Sequence, residues 1–271
     1  MKKRSASLPY IIWSSIFVVV PMFLVLFLSF TENGEMVFTF SNYKRFFEPV
    51  YFKILMRSIK LAFQATVLCL LIGYPLAMIL SELSERKRNL LVPLFILPMW
   101  MNFLLRTYAW LAILGKNGFI NKLLAAIGIQ KLSMLYTDGA VLLGMVYNFL
   151  PFMVLPIYTV LIKMDKSIME AAKDLGASSK KVFTKIILPL SMPGVMSGIT
   201  MVFMPSVTTF IISRLLGGGQ YMLVGNLIEQ QFLVTDDWNF GSAISIIMIV
   251  VILISMAFMS KTDKEDGRGL W

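Results

Sequence analysis

The chain has 271 residues, 58% of them hydrophobic and only 15% charged, with a net charge of +10 and no histidine. A mean hydropathy of +0.77 implies more apolar surface than a soluble globule of this length can hide, so an integral membrane protein is expected. The missing histidine excludes Ser-His and Cys-His nucleophilic pairs and histidine-ligated metals, and the single cysteine, Cys69, excludes an internal disulfide.

A helix needs about 20 apolar residues to cross the hydrocarbon core of a bilayer. The first such stretch is Tyr10 to Phe30, uncharged and preceded by Lys2, Lys3 and Arg4. It is long for a signal peptide and shows no clear small-residue cleavage site, so a retained helix is expected. Leu61 to Ser81 is the second stretch and is also uncharged. The third, Leu90 to Leu114, carries one charge, Arg106. Gly139 to Ile162 is the fourth, and the fifth lies within Ile186 to Ser213, its membrane part starting near Gly194. Phe240 to Ser260 is the sixth. Pro21, Pro75, Pro93, Pro98, Pro151, Pro156 and Pro205 fall inside these spans. Each removes a backbone donor and favours a kink, which suits a bundle with an internal path.

Six spans put both termini on one side. With that side in the cytoplasm, the inner segments hold fifteen of the 25 basic residues, as the positive-inside rule requires. Cytoplasmic N- and C-termini are therefore expected. The basic excess reports topology first, and nucleic acid is not an expected partner.

The inner segment between the fourth and fifth spans, about 163–192, has structure of its own. Ser167-Ile168-Met169-Glu170 has the form of a capping box that starts a helix. Ile168, Ala171, Ala172 and Leu175 fall on one face of it, and Gly176 ends it as glycine does where the chain turns through positive φ. Ser178 is placed to cap a second helix, whose apolar face is Val182, Phe183, Ile186, Ile187 and Leu190. Small alanine side chains let another surface come close. The bland reading is an amphipathic helix resting on lipid head groups.

Glu170-Ala171-Ala172, Gly176, Ile186 and Leu188-Pro189 resemble the EAA loop of ABC importer permeases in residue type, spacing and position before the penultimate span. In that family the loop is the helix that inserts into a groove on the ATPase subunit. The resemblance carries this role onto Glu170, Ala171, Ala172 and Gly176, and more weakly onto Asp174 and Leu175. Gly144-Met145-Val146-Tyr147, Leu150-Pro151-Phe152-Met153, Leu216-Gly217-Gly218-Gly219 and Asp237-Trp238-Asn239-Phe240-Gly241 are similar to segments of polyamine permeases of the PotB type. Asn239 stands where a proline is common. The resemblance implies one domain over 1–271, all-α, with six transmembrane helices of the MetI-like permease fold in a bacterial cytoplasmic membrane. It implies a second, PotC-type permease, a PotA-type ATPase dimer that holds ATP and Mg, and a PotD-type extracytoplasmic binding protein.

The chain has no P-loop, no H-E-x-x-H, no G-x-S-x-G and no acid in mid-span. No catalytic or metal residue, and no cofactor bound by the chain itself, is expected. A polytopic membrane enzyme acting on lipid, or a membrane scaffold, would not need an ATPase dock. Asp236 and Asp237 fit a solvated turn better than a metal site. For a cationic cargo the candidate path residues are Asn102, Tyr108 and Trp110 on the third span and Tyr147 and Asn148 on the fourth. Aromatic faces attract ammonium groups by about 0.5–2 kcal/mol per contact, and amides hold them loosely enough to release them. Arg106 either snorkels to the outer boundary or pairs with an acid. In the outer loop, about 214–240, Glu229, Asp236 and Asp237 are expected to form a negative entrance.

Overall fold

The computed structural model describes residues 8–32, 35–219 and 221–266. The first apolar stretch is one rod: α1 (Leu8–Ser14) passes through a π turn (Ser15–Val19) into α2 (Val20–Ser29). A small hairpin of β1 (Thr31–Glu32) and β2 (Glu35–Phe38) and the short α3 (Ser41–Phe46) lead to α4 (Pro49–Glu82). At 34 residues, α4 is ~51 Å long and overshoots a ~30 Å hydrocarbon core. Its first three turns therefore stand outside the apolar stretch that begins at Leu61.

The third span is the main departure from expectation. Leu90 to Leu114 is not one helix. It breaks into α5 (Glu85–Trp100) and α6 (Phe103–Leu114), which continues towards α7 (Phe119–Ala126), and the two halves meet at 90°. The residues explain the corner. Pro98 cannot donate to the α5 ladder, Met101 is extended at φ −73°, ψ 146°, and Asn102 restarts the helix. The Asn102 side chain accepts from the backbone N–H of Leu104 at 2.8 Å and of Leu105 at 3.4 Å. Pro75, Pro151 and Pro156, by contrast, remain within continuous helices, so most intramembrane prolines do not break their spans.

α8 (Asp138–Lys163) is the fourth span, as expected. The short pair α9 (Lys166–Asp174) and α10 (Ser179–Val182) follows. A π turn (Phe183–Ile187) then leads into α11 (Leu188–Thr208). The fifth span ends at Thr208, not Ser213: Thr209 is extended, and Ser213 sits in a separate helix, α12 (Ile211–Leu216). α13 (Val224–Leu233) and the last span, α14 (Trp238–Asp266), complete the chain. Among the described residues five helices are long and apolar enough to cross a membrane, and there are six if the bent pair of α5 with α6 and α7 counts as one span.

α4, α8 and α11 form the core, around Cys69, Met145, Met153, Ile157 and Val202. Lipid-facing helices gain little from apolar burial against one another, so close packing of small residues must hold them. Gly194 and Gly198, one turn apart on α11, supply it. A Cβ at Gly198 would lie 2.7 Å from Met153 Sδ and 3.1 Å from Met153 O on α8. The first span lies outside this core and packs on α14. Asn239 fastens the two: its Nδ2 donates to Leu28 O at 3.0 Å, Thr31 O at 2.9 Å and Thr31 Oγ1 at 2.7 Å.

Candidate coupling loop and solute path

The helix α9 starts two residues earlier than the S-x-x-E pattern suggests. Asp165, not Ser167, is the N-cap of α9, and its carboxylate accepts from the Ser167 N–H at 2.9 Å. That hydrogen bond holds the Asp165 carboxyl below the usual carboxylate range. The signal was present as an aspartate two residues ahead of Ser167, at the position where a short acceptor side chain caps best. At the other end Gly176 has φ +82°. Its N–H bonds Lys173 O at 2.9 Å, and the Ala177 N–H reaches back to Ala172 O at 3.0 Å. This pair of bonds is a Schellman cap, which requires the left-handed residue that glycine provides.

The face thus set up is open. Leu175 is 89% exposed and Ile168 46%. Glu170, Ala171 and Asp174 are exposed and Ala172 is half-buried. Ile168, Ala171 and Leu175 thus leave the apolar face of α9 uncovered. On the inner side of α9, Met169 reaches a small cavity of about 90 Å³ shared with Met78, Met164 and Ile187. Ser178 occupies the N-cap of α10 but makes no side-chain cap hydrogen bond. Past α10 the chain is tied to the core: Phe183 stacks edge-on with Tyr74 at 5.8 Å. The Tyr74 hydroxyl and Ser191 Oγ share a hydrogen bond of 2.8 Å. Neither Tyr74 nor Ser191 stands out in the sequence, because a tyrosine–serine bond between α4 and α11 has no local spacing.

The five path candidates separate. Trp110 and Tyr147 come together, ring centroids 5.3 Å apart at 73°, and Tyr147 is partly open, at 38%. Tyr108 is exposed, and two residues along a helix place it ~200° around from Trp110, away from that pair. Asn102 is spent on capping α6. Asn148 is buried, and its Nδ2 donates to Gly144 O of its own helix at 2.9 Å, while Oδ1 has no partner among the described residues. Arg106 is 9% exposed, its Nε has no hydrogen-bond partner among the described residues, and its Cζ lies 5.9 Å from the Phe103 ring centroid. No acid of the outer loop pairs with it among the described residues.

The three acids of the expected negative entrance are each engaged. Glu229 is paired with Arg214 at 2.6 Å, and Asp237 with Arg45 at 2.7 Å. Arg45 in turn lies 4.0 Å over the Phe240 ring. Asp236, at φ +54°, accepts from Trp238 Nε1 at 2.6 Å. The arginines flank the acid-only segment in sequence or come from before α4, so a reading confined to that segment could not see them. The glycine run turns through positive φ at Gly218 and Gly219, with Gly218 against the Tyr136 ring.

Residues 70–264 match the family model of the binding-protein-dependent transport system inner membrane component. The chain belongs to this family. It is a multi-pass inner-membrane permease of an ABC importer. It is 41% identical to the spermidine/putrescine transport system permease protein PotB of Escherichia coli (strain K12), over 88% of this chain and 90% of that one. The corresponding protein of Haemophilus influenzae is 39% identical over 94% and 92%. The fold is shared with a bacterial ABC transporter involved in the import of the acidic polysaccharide alginate, with a TM-score of 0.83 at 18% identity, covering 99% of this chain and 96% of that chain. The permease is of the PotB type.

Proposed function

We propose that this permease is one half of a polyamine importer, carrying spermidine and putrescine towards the cytoplasm. The observation that carries the reading is the 39–41% identity to PotB proteins, spread over 88–94% of the chain and not confined to the coupling loop that all such importers need. The fold does not choose the cargo, since a transporter of an acidic polysaccharide shares it. Side chains along the path must do so.

In this reading both termini and the 163–192 loop are cytoplasmic. A PotC-type permease completes the path, a PotD-type binding protein delivers the cargo, and a PotA-type ATPase dimer binds ATP and Mg. Glu170, Ala171, Ala172 and Leu175 present α9 to a groove on the ATPase, with Asp174 at its edge and the Gly176 cap fixing its end. Movement of α9 reaches the core through Met169 and through the Tyr74–Ser191 bond. Trp110 and Tyr147 offer aromatic faces to a passing ammonium group, which attract it without the tight hold of a carboxylate.

The test is uptake of radiolabelled spermidine and putrescine by cells lacking only this chain, in a background with no other polyamine importer. Loss of uptake restored by the parent gene supports the reading. Unchanged uptake rejects it.

A further inference from the structure

A basic cleft of about 820 Å³ lies between the first turns of α4, the start of α8 and Met222. Lys53, Arg57 and Lys60 line it, followed by Gln64. Their spacing places all four on one face of α4. Arg57 is fixed: Nη2 donates to Asp138 Oδ1 at 2.6 Å, and Cζ sits 4.1 Å over the Tyr221 ring. Lys53 and Lys60 are exposed and carry no ion pair among the described residues. Asp138 is thus the one acid lining the cleft, and Arg57 already engages it.

Position and charge together select the occupant. Lys60 immediately precedes the apolar stretch from Leu61, and Lys53 lies ~10 Å further along the helix, so the stripe climbs from the bilayer boundary into the water. A polycation gains nothing by entering a cleft with two unpaired lysines. Subunits that stay assembled in the membrane need no long-range attraction, whereas a soluble protein that arrives and leaves repeatedly does. We propose that this cleft is the seat of an acidic surface on the extracytoplasmic binding protein, with Lys53 and Lys60 attracting it and Arg57, held by Asp138 and Tyr221, giving the seat its shape. The proposal rests on the importer assembly described above, not on which solute is carried.

The test uses the whole complex in nanodiscs with its own binding protein, measuring binding affinity and the ATPase rate at saturating binding protein. Lys53→Glu with Lys60→Glu should weaken binding about tenfold or more at low salt and leave the saturated rate unchanged. The difference should shrink as salt shortens the screening length to about 8 Å and below. Lys53→Arg with Lys60→Arg should bind like the parent. Unchanged affinity at every salt concentration overturns the proposal. So does loss of the second permease on purification, which would make the cleft a subunit contact. Affinity that follows the anionic lipid content of the nanodisc and ignores the lysine substitutions makes it a lipid site and overturns it equally. If radiolabelled polyamine uptake fails while these binding results hold, the cargo is wrong and the seat stands.

Discussion

In the proposed topology, the cytoplasmic loop between α8 and α11 and the outer loop between α11 and α14 hold their shapes in opposite ways. In the outer loop Ser213 Oγ bonds Asn226 Oδ1, Asn226 Nδ2 donates to Phe210 O, and the Val224 N–H donates to Ser58 Oγ of α4 at 2.9 Å. Val224, Leu227 and Gln231 are buried. A Cβ at Gly225 would lie 2.3 Å from Thr208 O, whereas one at Gly176 in the cytoplasmic loop would meet nothing within 4 Å. One glycine is required by what surrounds it and the other only by its own φ. A loop satisfied from within is a wall, and a capped helix with an exposed leucine is a surface made for something else.

This contrast can be broken by substitution. Gly225→Val should do the greatest damage, because a backbone oxygen cannot step aside. Overpacking of that kind costs about 1–3 kcal/mol or more. It should show as a lower melting temperature and less permease in the membrane. Gly176→Val should cost about 1–2 kcal/mol within the loop and leave the amount of permease unchanged, yet abolish substrate-stimulated ATPase activity in the reconstituted complex. Ala172→Trp should give the same split by steric overlap. If either cytoplasmic variant couples normally, α9 is not the dock. Asn239→Ala should lower stability by about 1 kcal/mol, read by thermal unfolding, with coupling intact in what remains folded. Glu229→Gln should have the smallest effect, at most about 1 kcal/mol, because its arginine partner is 61% exposed. A large change in uptake for this variant at low salt would restore the negative entrance that the ion pairs argue against.

The spans were legible because about 20 apolar residues in a row have one physical use. The helix α9 and its cap were legible because a glycine and an apolar face at helical spacing are local features. The corner at Met101 and Asn102 was hidden inside an apolar run, since a cap needs only one asparagine and the intramembrane prolines elsewhere leave their helices intact. The partners of the outer acids were hidden for a different reason: Arg45 lies 192 residues along the chain from its partner Asp237. Arg106 resisted reading from either side: its position in an apolar run marked it out, and it is buried with no acid paired to it among the described residues.

The joint between the first and last spans has a consequence for synthesis. Asn239 and the Thr31 carbonyl it bonds are 208 residues apart. At ~5–20 residues per second, the first helix waits tens of seconds in the bilayer before the helix it packs on is made. During that interval the carbonyls of Leu28 and Thr31 lack the amide that will later bond them. Closure of this joint therefore has to wait for α14. Until then Thr31 O is held by Asn42, whose Nδ2 donates to it at 2.9 Å, and the first helix has nothing of the last span to pack on.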